Sequence, residues 1–112
     1  LDLRQAAGAE VFLRLVRDAD FVLENFKPGT LDGWGVGYRQ CAAAKPDLVF
    51  VSISGWGQFG PRHARPGYDP AALAYGGWQS LNGSPDGPPT KAPTFLCDDL
   101  AGLHAALSAL AA

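Results

Sequence analysis

The chain has little charge of either sign, little cysteine and no methionine. Only 18% of its 112 residues are charged, and 9 Lys and Arg against 11 Asp and Glu leave a formal net charge of -2. This balance excludes the basic composition typical of nucleic-acid and anionic-membrane binders, so we expect neither partner. Cys41 and Cys97 lie far apart, and no Cys and His cluster has the spacing of a zinc site. We therefore expect no metal, and a reduced protein of the cytoplasm.

The two ends of the chain are unusual. It begins at Leu1 without a basic-then-apolar targeting segment, and it stops in the apolar helical run LHAALSALAA, which has no capping residue. An apolar, uncapped helix end normally continues or is covered by other chain. The 47% hydrophobic content is enough for one packed core. We expect residues 1–112 to be part of a longer protein.

The first half of the chain predicts alternating strands and helices. We expect a short strand at residues 1–3 and then a helix with four apolar residues on its buried face, Ala9, Phe12, Leu13 and Val16. A strand is predicted over Asp20–Phe26, ended by Lys27-Pro28-Gly29. Thr30 or Asp32 is expected to cap a short turn. The segment YRQCAAAK then predicts a helix that Pro46 stops.

The second half continues this alternation. Leu48–Ile53 is almost wholly apolar, which is typical of a parallel strand covered on both faces. The following 14 residues, SGWGQFGPRHARPG, are too rich in glycine and proline for regular structure, and such loops after parallel strands often bind ligands. Asp69-Pro70 is expected to begin a helix as N-cap and first residue, and Asp98–Ala112 is expected to be the last helix. The predicted fold class is α/β with a parallel sheet and flanking helices.

The last helix carries the strongest candidate for chemistry. At about 100° per residue, Leu100, Leu103, Leu107 and Leu110 form the predicted buried stripe, with Asp98 roughly opposite. The face of Asp98 continues through small residues, Gly102, Ala105 and Ala109, so a ligand can approach the carboxylate. The helix dipole favours an anion in the first turn by about 0.3 to 1 kcal/mol, which suits a nucleophile. The alternative is that Asp98 is only an N-cap and Asp99 only a first-turn acid.

Four other residues have structural as well as chemical interpretations. His104 lies beside the leucine stripe and is expected to be a core or interface residue, whereas His63 is expected to be solvated. Tyr68 either points its phenol at the strand ends or is simply packed. Cys97 lies at a helix start, where thiol pKa values can fall, but we expect a small packing residue because no histidine is placed to activate it.

Five segments resemble, in order and spacing, the class III CoA-transferase family: LENFKPGTLDGWGVGY, PDLVFVSISGWGQFGP, RPGYDPAALAYGG, GSPDGPPTK and D-x-x-x-G before HAALSALAA. The resemblance covers essentially the whole chain. The family has a Rossmann-like large domain joined to a small domain, and two subunits interlock as a homodimer. The resemblance therefore implies that residues 1–112 are the central part of the CoA-binding large domain, without its N-terminal strand and without the small domain.

The resemblance assigns a catalytic role to one residue and CoA-binding roles to four. Asp98 falls on the family's catalytic aspartate, which forms covalent anhydride and thioester intermediates as CoA moves from an acyl-CoA to a carboxylic acid. Asn25, Phe26 and Thr30 match positions that line the CoA groove, and Gly55 matches a glycine of the loop under the nucleotide. No permanently bound cofactor is implied, because the CoA thioester is itself the substrate.

Two features of the resemblance leave alternatives open. Some family members carry basic residues at the positions of Gly33, Ser54 and Pro66. Here the CoA phosphates must therefore be neutralised by other groups, either segments outside this chain or one of three cations, Lys27, Arg62 or Arg65.

The related acyl-CoA racemases have a histidine at the position of Tyr68, and a phenol is a poorer base at neutral pH. Transfer is therefore favoured over racemisation, and Tyr68 is expected to line the acyl pocket. The remaining alternatives are an α-methylacyl-CoA racemase or epimerase, and an inactive fragment that acts only as an interaction module.

Overall fold

A computed structural model describes residues 1–112. The chain forms five α-helices, two strands and one 3₁₀ helix. In order they are α1 (Ala6–Val16), β1 (Phe21–Glu24), α2 (Thr30–Gly33), α3 (Tyr38–Ala44), β2 (Val49–Ser52), α4 (Asp69–Tyr75), a 3₁₀ turn (Trp78–Leu81) and α5 (Leu96–Ala111). No helix is both long enough and apolar enough to span a bilayer.

The two strands form one small parallel sheet. β1 pairs with β2 in a register that runs from Phe21 opposite Val49 to Glu24 opposite Ser52. Helices α2 and α3 make the crossover between the strands, as a parallel pair requires. The predicted α/β class with a parallel sheet and flanking helices is confirmed, and both strands are slightly shorter than predicted. All four residues of β2 are half-buried, so within this chain the strand is not fully covered on either face.

The core lies between α1, α3 and the sheet. Val16, Cys41 and Leu48 are buried at its centre. Partly buried apolar residues pack around them, namely Phe12, Leu13, Val22, Ala44 and Phe50. The predicted inner face of α1 is thus confirmed at Phe12, Leu13 and Val16, while Ala9 is half-buried. Cys41 also donates its thiol to the carbonyl of Val36 at 3.3 Å, which ties α3 to the segment before it.

The strand predicted at residues 1–3 is wrong. The Asp2 carboxylate accepts a hydrogen bond from the Arg4 amide at 3.1 Å and an ion pair from the Arg4 guanidinium at 2.9 Å. Such local side-chain bonds favour a turn over an extended strand. The Asp2 carbonyl then lies against Gly8 in α1, where a Cβ would collide with it. The segment therefore packs on the helix as a turn.

Helix boundaries differ from expectation where glycine and long-range contacts decide them. Neither Thr30 nor Asp32 caps α2, because its N-cap is Gly29 in the left-handed region with φ 83° and no side-chain bond is made. α4 ends at Tyr75 since Gly77, with φ 79°, breaks the helix before the 3₁₀ turn. Asp69 is the first residue of α4 rather than its N-cap, which is Tyr68.

The buried face of α5 is also different from the predicted one. The leucine stripe of Leu100, Leu103, Leu107 and Leu110 is 43–86% exposed. The helix instead packs on α4 and β2, and after Leu96 in its first turn the covered residues are small: Ala105 is buried, and Cys97, Ala101 and Ala109 are half-buried. Small side chains allow α5 to approach its neighbours closely, because interaxial distance follows the residues at the contact.

Candidate functional site

An open cavity lies at the carboxyl ends of the two strands, where ligands bind in parallel α/β folds. Its volume is about 420 Å³. The last residue of each strand, Glu24 and Ser52, lines it, and the two are paired in the sheet. The other lining residues are Lys27, Gly29, Leu31, Asp32, Gly37, Tyr38, Phe50 and Gln58. The cavity therefore combines charged groups, aromatic faces and glycine backbone.

The residues predicted for the CoA groove do not line this cavity, although they adjoin its lining residues Glu24, Lys27, Gly29 and Leu31 in sequence. Asn25 follows β1 directly, is exposed and makes no side-chain hydrogen bond. Phe26 is exposed on one side and meets Trp34 edge to face, with ring centroids 5.5 Å apart. Its amide donates to Glu24 Oε2 at 2.8 Å, which fixes the chain as it leaves the strand. Thr30 is the half-buried first residue of α2.

The three candidate cations have different surroundings. Lys27 lines the cavity and makes no salt bridge. Arg62 stacks on two aromatic rings, with its guanidinium carbon 5.5 Å from the Trp56 centroid and 4.5 Å from that of Tyr75. Arg65 is exposed and makes no side-chain hydrogen bond. Lys27 is thus the cation placed at the strand ends.

The glycine-rich loop after β2 is closed at its base by Gly55 and Gly67. A Cβ on Gly67 would lie only 2.5 Å from the Cα of Gly55. Beside this contact, the Trp56 indole donates to the Pro66 carbonyl at 3.0 Å. Because Gly55 lies just after β2 and Gly67 just before Tyr68, the closure brings the start of α4 to the carboxyl edge of the sheet.

A second link joins the start of α4 to the start of α5. Asp69 is 1% exposed, and its Oδ1 accepts a hydrogen bond from the Cys97 amide at 2.8 Å. Tyr68 precedes Asp69 and Asp98 follows Cys97, so this bond holds two predicted site residues on neighbouring helix starts. Together with the Gly55–Gly67 contact, it connects three of the predicted residues, Gly55, Tyr68 and Asp98.

Asp98 lies in the first turn of α5 with its carboxylate exposed. No hydrogen bond or salt bridge engages it, and the N-cap position belongs to Phe95. The alternative in which Asp98 is the N-cap is therefore wrong. Its neighbour Asp99 accepts a weak hydrogen bond from Thr94 at 3.3 Å. One turn along, a Cβ on Gly102 would meet nothing within 4 Å, so the space directly above the carboxylate is open as expected. The rest of the small-residue face is not open, because Ala105 is buried and Ala109 is half-buried.

The surroundings of Cys97 disfavour its thiolate form. Burial raises the pKa of its thiol, and the carboxylates of Asp69 and Asp98 raise it further. The raised pKa agrees with the expected packing role of Cys97, since α5 contacts α4 beside this residue.

The remaining candidates lie outside any catalytic pairing. Tyr68 is 76% exposed and its phenol has no partner. His63 Nδ1 lies 2.7 Å from the Gly60 carbonyl in an exposed loop, as expected of a solvated residue. His104 is exposed rather than part of the core, and its Nδ1 lies 2.8 Å from the Leu100 carbonyl of its own helix.

The model of CoA-transferase family III matches this chain over residues 1–112. The chain belongs to this family. The resemblance carried by its sequence motifs is confirmed over the whole length, and it assigns the α/β structure around the cavity to a CoA-transferase scaffold.

Relatives and solved structures of the family are similar throughout. The succinyl-CoA–D-citramalate CoA-transferase of Chloroflexus aurantiacus is 43% identical over 112 residues, which is 100% of this chain and 28% of the relative. The acetyl-CoA:oxalate CoA-transferase of Acetobacter aceti is 40% identical over 102 residues, 91% of this chain and 26% of the relative. A crystal structure of a CAIB/BAIF family protein from Brucella suis superposes with a TM-score of 0.93 at 39% identity, covering 98% of this chain and 29% of that one. The chain thus spans little more than a quarter of the length of these family members.

Sequence reasoning missed two features of this site. The side chain of Asp69 was expected to cap its own helix, but it binds the backbone of α5. The stacking of Arg62 over the rings of Trp56 and Tyr75 was not foreseen. The aromatic residues around the loop were a signal for the second feature, whereas nothing local to Asp69 indicates a partner 28 positions away.

Proposed function

We propose that this protein transfers coenzyme A from an acyl-CoA to a carboxylic acid and that Asp98 is the nucleophile. The observation that carries the proposal is the free, exposed carboxylate of Asp98 at the start of α5, with open space at Gly102 above it. A helix N-terminus favours an anion there by about 0.3 to 1 kcal/mol. The family match and the relatives named as CoA-transferases support the reaction class.

The first half of the proposed reaction loads CoA onto the enzyme. An Asp98 oxygen attacks the thioester carbonyl of the donor, the C–S bond breaks, and CoA leaves as a thiolate from a mixed anhydride. The thiolate then attacks the Asp98 carbonyl of this anhydride. The donor acid leaves as its carboxylate, and Asp98 becomes an aspartyl-CoA thioester.

The second half transfers CoA to the acceptor by the same chemistry. The acceptor carboxylate attacks the aspartyl thioester, which releases the thiolate and forms a second anhydride. The thiolate attacks the acceptor carbonyl of that anhydride, so the new acyl-CoA departs and Asp98 is regenerated as a carboxylate. The cycle consumes no proton and no oxidant, and it leaves Asp98 as the carboxylate with which it began.

The cavity at the strand ends is the proposed entry for CoA. Phe26 offers an exposed apolar face, Asn25 a free amide and Thr30 a hydroxyl at its border. The exposed backbone of Gly55, which packs against Gly67 on its other side, is the proposed contact for the diphosphate. Lys27 is the proposed phosphate partner, since it lines the cavity without a salt bridge.

Tyr68 is proposed to line the acyl pocket. Its exposed phenol stands at the start of α4, one residue from the carboxylate that binds the start of α5. Related racemases carry a histidine at this position, and a phenol is a poorer base than an imidazole at neutral pH. Transfer is therefore proposed rather than proton exchange at the α-carbon.

The proposed setting is the central part of a large CoA-binding domain in a cytoplasmic homodimer. The exposed leucines of α5, which are 43–86% accessible, support the covering of this helix by further protein. Light scattering on the full-length gene product tests the dimer, and a monomer at micromolar concentration would remove that part of the proposal.

The nucleophile is tested by trapping. The full-length protein is incubated with an acyl-CoA and then with hydroxylamine, which attacks the aspartyl-CoA thioester, releases CoA and leaves a hydroxamate at Asp98 detectable by peptide mass spectrometry. Asp98→Asn should lose both the adduct and transfer activity, whereas the matched control Asp99→Asn should keep both. Full activity in Asp98→Asn would overturn the proposal. Solvent deuterium entering the α-carbon of an acyl-CoA without an acceptor acid would favour the racemase alternative instead.

A further inference from the structure

The carboxylate of Asp69 is the one buried charged side chain of the chain. It is 1% exposed, and Oδ1 has a single partner, the Cys97 amide at 2.8 Å. Oδ2 is buried without any partner. A buried carboxylate is costly unless it is fully hydrogen-bonded, so such a residue requires a specific reason at this place.

The partner of Asp69 indicates that reason. The first amides of a helix have no acceptor within the helix, and in α5 the first bond to a preceding carbonyl is from Asp99 to Phe95 at 2.9 Å. The N-cap residue Phe95 has no side-chain acceptor and makes no capping bond. Asp69 supplies the missing acceptor from another helix, and its negative charge lies at the positive end of α5.

We infer that Asp69 is a positioning residue for Asp98. This inference rests on the proposed function, in which Asp98 is the nucleophile. The bond ends at the amide of Cys97, whose peptide group leads directly into Asp98, so the direction of the first turn of α5 relative to α4 is set at this point. Asp69 does not touch the reacting atoms. It holds the backbone that carries the nucleophile.

Precise placement matters because an attacking oxygen must lie about 3 to 3.5 Å from the thioester carbonyl. Without the Asp69 bond, the first turn of α5 has neither a cap of its own nor a link to α4 at this point. The turn then frays, and a shift of about 1 Å in a reacting group can lower the rate by about 100-fold. Binding of CoA at the strand ends does not depend on this turn, so the loss falls on kcat rather than on KM.

The experiment compares Asp69→Ala and Asp69→Asn in the full-length gene product. Asp69→Ala should lower kcat and the single-turnover rate of Asp98 adduct formation at least about tenfold, with KM for acyl-CoA within about threefold of wild type. Asp69→Asn keeps an oxygen that can accept from the Cys97 amide, so it should restore most of the rate. Hydrogen exchange at the Cys97 amide should be at least about tenfold faster in Asp69→Ala only.

A destabilised but correctly capped control separates positioning from stability. Leu73→Ala removes a side chain that is 1% exposed in the same helix and leaves the Asp69 bond in place. It should lower the melting temperature while keeping kcat near wild type below that temperature. If Leu73→Ala loses kcat as Asp69→Ala does, or if Asp69→Asn fails to restore the rate while folded, the positioning role is wrong.

The two proposals fail in different ways. If the wild-type protein forms no adduct at Asp98, the proposed nucleophile is wrong. If it forms the adduct and Asp69→Ala forms it at an unchanged rate, only the role of Asp69 is wrong.

Discussion

Gly55 and Gly67 approach each other so closely that neither position has room for a side chain, and a Cβ on Gly67 would lie 2.5 Å from the Gly55 Cα. Neither residue has a positive φ, so the requirement for glycine here comes from contact and not from backbone conformation. The contact closes the loop between β2 and α4, so it links the carboxyl end of β2 to the start of α4.

Gly67→Ala should open this closure. Because a methyl group would overlap backbone atoms that cannot move independently, we expect a destabilisation of about 1 to 3 kcal/mol, together with weaker acyl-CoA binding. Urea unfolding and KM measure the two effects. Gly33→Ala is the control for stability, since a Cβ there meets nothing within 4 Å. Equal stability of the two variants would contradict the structural role of the contact.

Gly102 tests the space above Asp98. Gly102→Ala adds helix propensity without a clash, so α5 should gain about 0.5 to 1 kcal/mol of stability. Gly102→Leu should instead reduce kcat/KM at least about tenfold by filling the approach to the carboxylate. The control is Ser108→Leu, an exposed position further along the same helix. Normal kinetics in Gly102→Leu would show that the thioester reaches Asp98 from another side.

Lys27 should contribute to binding rather than to chemistry. A charged hydrogen bond to phosphate is worth about 1.5 to 3 kcal/mol, so Lys27→Ala should raise KM for acyl-CoA about 10- to 100-fold with little change in kcat. The effect should shrink at high salt, because screening weakens the contact that was lost. Arg14→Ala, an exposed cation of α1, is the control. An unchanged KM would assign phosphate neutralisation to other groups.

The two thiols should make the protein less stable in alkali. Burial raises the pKa of Cys41, and burial together with Asp69 and Asp98 raises that of Cys97, above the ordinary value of 9.0. As the pH rises past 9.0, the unfolded chain loses these protons first and therefore binds fewer protons than the folded chain. The contribution of the two protonated thiols to the free energy of unfolding is therefore complete below that pH, and it is lost as the pH rises through the folded-state pKa values.

Unfolding at pH 7 to 10.5 measures this effect, with Cys41→Ala as the comparison. The alkaline slope of the free energy of unfolding should be smaller in the variant. In the folded protein at pH 7, iodoacetamide should react with Cys97 more slowly than with a free cysteine, and with the fully buried Cys41 only through unfolding. Rapid alkylation of Cys97 at pH 7 would contradict the direction of its pKa shift.

Local sequence patterns were sufficient to predict the two strands, most of the helices and the parallel pairing of the strands. The spacing of apolar residues over a few positions predicts helix α1 and the strand around Val51. Pro46 ends a helix whatever its neighbours are, because proline lacks the backbone N–H. The family motifs likewise lie in continuous segments, so the sequence alone carries the resemblance. The short strand expected at residues 1–3 failed where a local side-chain bond, from Asp2 to Arg4, competed with extended structure.

Two features depended on contacts between segments far apart in the chain. Helical spacing divides α5 into a leucine face and a small-residue face, but spacing does not say which neighbour the helix meets, and the alanine face lies against α4 and β2. The pair Asp69-Pro70 predicts a helix start with Asp69 as its cap, whereas the Asp69 carboxylate accepts a hydrogen bond from the Cys97 amide of another helix. Burial and hydrogen-bond partners across the chain are properties of the packed molecule, because only packing removes water and brings such groups within 3 Å.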